Sequence, residues 1–108
     1  MPHDRKKAGA WLYYKGDTNE ALGSENVELP VTYPTGTIGT YIVKFKKPFI
    51  GTGVQNKRPA YAVLLTSNAY RSEYKANNNG EIQIFLYDQQ GNLKNDEFSL
   101  VVFGDLHE

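Results

Sequence analysis

The sequence predicts an all-β domain, an antiparallel β-sandwich or jelly roll, and three observations carry that prediction. Seven short apolar runs recur along the chain, each closed by Gly, Pro, Asn or a polar loop. No long segment repeats its apolar positions at a helical period. Aromatic residues make up 13% of the chain, with eight Tyr and five Phe, and such side chains favour pleated, half-buried surfaces.

The chain has 108 residues, enough for one domain with a modest core. The run AWLYYK (10–15) sets Leu12 and Tyr14 against Trp11 and Tyr13 and is closed by Gly16 and Asp17. Residues 17–25 read as a loop. NVELPVTY (26–33) reads as the second strand, interrupted by Pro30, which lacks a ladder donor and marks an edge or a bulge. TYIVKFK (40–46) is the third. Its Tyr41, Val43 and Phe45 form a core face, while Thr40, Ile42, Lys44 and Lys46 form the other, because side chains alternate along a strand. Residues 47–59 read as a second long loop. AYAVLLT (60–66) is the fourth strand. RSEYKA (71–76) and EIQIFLYD (81–88) flank NNNG, a hairpin turn whose Asn and Gly tolerate positive φ. After the polar loop QQGNLKNDE, FSLVVF (98–103) is the last strand.

Several of these strands are apolar on both faces. Ile82, Ile84 and Leu86 oppose Phe85 and Tyr87. Phe98, Leu100 and Val102 oppose Val101 and Phe103. Tyr61, Val63 and Leu65 oppose Ala62 and Leu64. A half-exposed antiparallel sheet instead alternates apolar and polar residues, and a domain of this length has no second core. Exposed apolar patches mark interfaces. The expectation is therefore a homo-oligomer whose interface holds Trp11, Tyr13, Phe85, Tyr87, Val101 and Phe103. The competing expectation is that loops 17–25 and 47–59 cover those faces within one chain.

Twelve basic and twelve acidic residues cancel, which argues against a nucleic-acid binder or a polybasic membrane anchor. No apolar run approaches the ~18 residues of a membrane span, so no membrane insertion is expected. MPHDRKKAG (1–9) carries charges with no apolar region behind them, unlike a signal peptide. There is no Cys, which excludes disulfides and thiolate metal sites. His3 and His107 are the only histidines and both are terminal. Ser24, Ser67, Ser72 and Ser99 therefore have no internal imidazole to activate them. Asp17 with Glu20, and Asp96 with Glu97, are close neighbours in loops and do not make a facing pair of carboxylates. DQQGNLKND (88–96) lacks the alternate acids of a calcium loop and reads as a turn. GTG (51–53) is not a phosphate loop. KFKK (44–47) with Lys57 and Arg58 reads as a solvated strand end. The sequence thus predicts no catalytic residue, no metal site, no cofactor and no enzyme.

The order of AGAWLYYKG (8–16), ENV (25–27), GTYIVKFKKPF (39–49), AYAVLL (60–65), GEIQIFLYDQQG (80–91) and FSLVVFG (98–104) resembles the C-terminal β-sandwich domain of bacteriophage tail fibres and related small virion structural proteins. The resemblance spans roughly residues 8–104. Tyr13 and Tyr14 stand where that family often has Asn and Phe. A long shaft or attachment region usually precedes such domains. Here about nine residues precede the first strand, so the chain reads either as an isolated domain or as a short protein that attaches by itself. The resemblance implies a trimeric knob on the virion surface, a homotrimer among other virion proteins, and it implies no catalytic residue.

Two functions follow from that resemblance. In the first, the knob contacts the host surface, with a glycan as a candidate ligand. Tyr70 and Tyr74 would stack on sugar faces, and Asn77, Asn78 and Asn79 would hydrogen-bond to hydroxyls. In the second, the chain is a capsid decoration protein that clamps the viral shell. Residues 1–8 form a flexible basic arm ahead of a single domain (9–108), and Arg5, Lys6 and Lys7 would pair with acidic groups on another virion protein. Such a polar segment buries too little apolar surface to fold alone.

Overall fold

The computed structural model describes residues 8–32, 38–49, 61–78 and 80–104. Among them are seven strands and no helix: β1 Ala8–Lys15, β2 Glu20–Glu25, β3 Thr40–Lys44, β4 Tyr61–Ser67, β5 Arg71–Asn78, β6 Glu81–Tyr87 and β7 Glu97–Gly104. They form two antiparallel sheets, a four-stranded one ordered β2-β1-β7-β4 and a three-stranded one ordered β3-β6-β5. The all-β prediction holds, and the alternating faces read in the segments that became β1, β3, β4, β6 and β7 match their burial.

Two segments exchange roles relative to the sequence reading. EALGSE, expected within a loop, is strand β2. Gly16–Asn19 turn the chain back, with Asn19 at φ 54°, and β2 then pairs with β1 from Lys15↔Glu20 to Trp11↔Glu25. A bulge leaves Leu22 without a cross-strand partner. The polar, Gly-containing composition of β2 hides the strand, because its pairing comes from proximity to β1. NVELPVTY is not a continuous strand. It makes two isolated bridges, Thr32↔Ile42 to β3 and Val27↔Phe45 just past that strand's end. Between them lies the cis Leu29–Pro30 bond, and Pro30 has no N–H for the ladder. Val27 and Val31 are still buried.

The core lies between the sheets. From the four-stranded sheet come Ala10, Leu12, Tyr14, Phe98, Leu100 and Val102, and from the three-stranded sheet Tyr41, Val43, Ile82, Ile84 and Leu86, all buried. Tyr61, Val63 and Leu65 of β4 pack against this cluster from its border. Aromatic triads occupy both ends. Tyr14, Tyr41 and Phe98 meet across the sheets with centroid separations of 5.3–5.6 Å. Phe45, Phe49 and Tyr61 meet at 5.0–5.8 Å. These spacings and tilted or edge-on geometries are the favourable ones for rings.

Asn26 joins the two layers. Its Nδ2 donates to Gly9 O and Lys47 O, both at 3.0 Å, and its Oδ1 accepts from Lys47 N at 2.7 Å. It adopts φ 58°, a conformation Asn tolerates better than most residues. The side chain thus ties the start of β1 to the turn after Phe45 while its neighbour Val27 enters the core.

Burial pushes the hydroxyls of Tyr41 and Tyr61 up to about 12 from the usual 10, because an anionic phenolate loses its hydration there. An acid whose folded pKa lies above its unfolded one favours folding fully below the unfolded value and loses that contribution as pH rises through the folded value. Stability is therefore expected to hold to about pH 10 and to fall between pH 10 and 12. Urea denaturation across that window checks it. A flat profile would mean that neither phenol is shielded.

Candidate functional site

The cross-strand register fixes which residues share each outer face. On the four-stranded sheet the outward side chains fall into rows. Phe103 lies between Ala8 and Ala62. Val101 lies between Trp11 and Leu64, and Glu25 extends that row beyond Trp11. Ser99 lies between Tyr13 and Thr66. Glu97 lies opposite Lys15, and its backbone carbonyl accepts from Asn68 N. One half of this face is thus apolar, carrying Phe103, Ala62, Trp11, Val101 and Leu64. The other half is polar, carrying Tyr13, Ser99, Thr66, Glu97 and Asn68.

In the apolar half, Leu64 is 56% and Trp11 37% exposed. The Trp11 ring leans across β2 onto Gly23, where an added Cβ would come within 2.9 Å of Cη2, and Nε1 donates to Glu25 Oε2 at 3.4 Å. Leu22, the bulge residue, is also exposed. The four large apolar side chains of these two rows, Trp11 and Leu64 exposed and Val101 and Phe103 half-buried, form a patch of the kind that associating proteins bury. Residues 50–60, most of the loop expected to cover such a face, lie outside the described residues.

The outer face of the three-stranded sheet has a different character. Tyr87 is opposite Arg71, Phe85 between Thr40 and Glu73, Gln83 between Ile42 and Lys75, and Glu81 opposite Lys44. The Arg71 guanidinium lies 4.1 Å from the Tyr87 ring centroid and 2.7 Å from Glu73 Oε2. Tyr87 and Phe85 are only half-buried, and each has a charged neighbour on one side, Arg71 and Glu73, and an uncharged one on the other, Leu93 and the buried Thr40. The mixed face of GTYIVKFKKPF, with Ile42 and its lysines, belongs to this side.

The residues expected at an oligomer interface therefore divide between opposite faces. Trp11, Tyr13, Val101 and Phe103 lie on the four-stranded sheet, and Phe85 and Tyr87 on the three-stranded one. Leu64, which completes the central apolar row, was not among them. Its signal was present in YAVLLTS, a strand without any charged residue.

The residues expected to contact a ligand do not converge. Tyr70 sits in the bend before β5, and Asn77 and Asn78 at that strand's other end. Tyr74 lies midway along it, facing the same way as Ile84. Asn78 Oδ1 accepts from Gly80 N at 2.7 Å, its carbonyl accepts from Tyr61 Oη at 3.0 Å, and Asn77 Nδ2 donates to Glu81 Oε2 at 2.7 Å. These contacts are those of a hairpin turn. Asn79, Arg5, Lys6 and Lys7 lie outside the described residues.

Acidic groups do not gather into a reactive cluster. Among the described residues no three His, Cys, Asp or Glu side chains stand close enough to hold a metal ion. Asp88 forms a turn, its Oδ1 accepting from Gln90 N and Asn92 N, both at 2.9 Å. Glu97 is held by side chains instead. Its Oε2 accepts from Tyr13 Oη at 3.1 Å and Asn68 Nδ2 at 3.2 Å, and that carboxylate raises the Tyr13 pKa above its ordinary value through the hydrogen bond and its charge.

No family model, curated protein or solved structure matches this chain.

Proposed function

We propose that this chain is a non-enzymatic virion-surface module, a self-associating jelly-roll-type knob of the bacteriophage tail-fibre kind that contacts the host surface as a homotrimer. The observation that carries the self-association is the apolar half of the outer face of the four-stranded sheet, with Leu64, Val101 and Trp11 in one row and Phe103 in the next. The resemblance of the segment order to tail-fibre knobs supports the virion setting. Its quoted segments are also those that build the fold: ENV supplies the Asn26 clamp and buried Val27, and GTYIVKF supplies a core strand.

Light scattering at micromolar concentration is expected to give a trimer. Leu64→Lys combined with Val101→Lys is expected to give a folded monomer, with an unchanged β-type circular dichroism spectrum. A wild-type monomer would overturn the self-association. Immunolabelling of particles tests the setting. Label at the tail tip supports the knob, label over the shell supports decoration instead, and unlabelled particles overturn a virion role.

A further inference from the structure

The polar half of the outer face holds an open depression of about 250 Å³, lined by Tyr13, Thr66, Asn68, Glu97 and Ser99 among others. It adjoins the apolar half but shares only the strands with it. Its volume lies just below the ~300 Å³ at which pockets for drug-sized ligands begin, so it suits one small ring.

Its chemistry narrows the ligand. Glu97 is held in place because Oε2 receives both Tyr13 Oη and Asn68 Nδ2, which leaves Oε1 to accept from a ligand hydroxyl. Thr66 and Ser99 add hydroxyls that donate or accept. Tyr13 is 40% exposed and offers an aromatic surface beside them. Among the described residues no Lys or Arg lines the depression, which disfavours phosphate, sulfate or carboxylate ligands. Lys15 stands opposite Glu97 in the strand register, where an opposite charge offsets part of the carboxylate's pull on a cation. A fixed acceptor, several hydroxyls and an exposed ring, with little net charge, match a neutral pyranose, whose C–H face packs on an aromatic ring while its hydroxyls seek paired donors and acceptors.

We infer that the Tyr13–Asn68–Glu97 depression is a binding site for a neutral sugar ring. The inference rests on the knob reading only in taking that sugar to belong to a host surface.

The test is an amide-resolved nuclear magnetic resonance titration of the full chain with methyl glycosides of glucose, galactose and mannose, and with N-acetylglucosamine. At least one is expected to shift the amides of Tyr13, Asn68, Glu97 and Ser99 together. Tyr13→Ala is then expected to weaken that binding about tenfold or more through loss of the ring contact. Tyr74→Ala, distant on β5, is expected to leave it unchanged. No shift with any of the four sugars would overturn the site, as would shifts centred on Tyr70, Tyr74 and Asn77. So would equal displacement by lysine methyl ester, which would mark Glu97 as a cation site. Light scattering of the same samples keeps the outcomes apart. A failed titration of a trimeric protein removes the sugar site and leaves self-association standing.

Discussion

Tyr41→Ala is expected to cost about 3–5 kcal/mol, the usual range for truncating a buried aromatic side chain. Several contacts place Tyr41 there. Its ring is 1% exposed and lies 5.5 Å from Tyr14 and 5.3 Å from Phe98, so it joins one sheet to the other at that end of the core. Its hydroxyl donates to Asn95 Oδ1 at 2.8 Å, and the same oxygen accepts Gly39 N at 2.7 Å. Truncation therefore opens a cavity between the sheets and removes one of the two donors that hold Asn95. Tyr41→Phe keeps the ring and loses only the hydroxyl, so it is expected to cost about 1 kcal/mol. Phe45→Ala is expected to fall in the larger range, because Phe45 anchors the triad with Phe49 and Tyr61. Urea denaturation measures all three. A small loss for both alanine variants would show that the sheets do not depend on their aromatic ends. A loss for Tyr41→Phe as large as for Tyr41→Ala would assign the effect to the hydrogen bond.

The strands that carry strong apolar alternation were legible because period-two burial writes itself into the sequence. Ile82, Ile84 and Leu86, or Phe98, Leu100 and Val102, can face only one way if the sheets are to share a core, and they are buried as that pattern requires. Strand β2 was not legible. Its EALGSE has little apolar alternation, and it forms because the Gly16–Asn19 turn returns it beside β1. The segment around Pro30 had the opposite fault: it is apolar enough for a strand, but backbone chemistry breaks its ladder. Sequence alternation also revealed that faces were apolar on both sides without telling the two sheets apart. That distinction needed the cross-strand register. It places Leu64 beside Val101 and Trp11, but Arg71 and Glu73 beside Tyr87 and Phe85. The Tyr13–Asn68–Glu97 group was illegible for the same reason: residues from three separate segments become neighbours only once β1, β7 and the end of β4 lie side by side. Asn26 left a fainter trace. An Asn next to a buried Val is compatible with positive φ, but its partners Gly9 and Lys47 are distant in sequence.

Gly39→Ala is expected to cost about 2–5 kcal/mol, and Gly91→Ala supplies the comparison that isolates the cause. Both glycines have positive φ, 72° and 85° respectively, where a Cβ raises the energy by about 1–2 kcal/mol. Around Gly91 an added Cβ would meet nothing within 4 Å, so only that conformational penalty applies. Around Gly39 the Cβ would lie 2.5 Å from Lys94 N, 2.8 Å from Leu86 O and 2.9 Å from Lys94 O. All three are backbone atoms and cannot rotate away. They are also engaged with one another and with Gly39: Lys94 N donates to Leu86 O at 2.9 Å, and Leu86 N donates to Gly39 O at 2.8 Å. Relieving the overlap would pull the chain after β6 away from the start of β3. It would also shift Asn95, which receives both Gly39 N and the Tyr41 hydroxyl. The overlap thus adds an overpacking cost of about 1–3 kcal/mol to the conformational one. Denaturation midpoints of the two alanine variants, compared at equal m-value, test the argument. Gly39→Ala should lose clearly more than Gly91→Ala. Equal losses would mean that conformation alone selects glycine at both positions, and that the backbone packing of residues 39, 86 and 94 yields without cost.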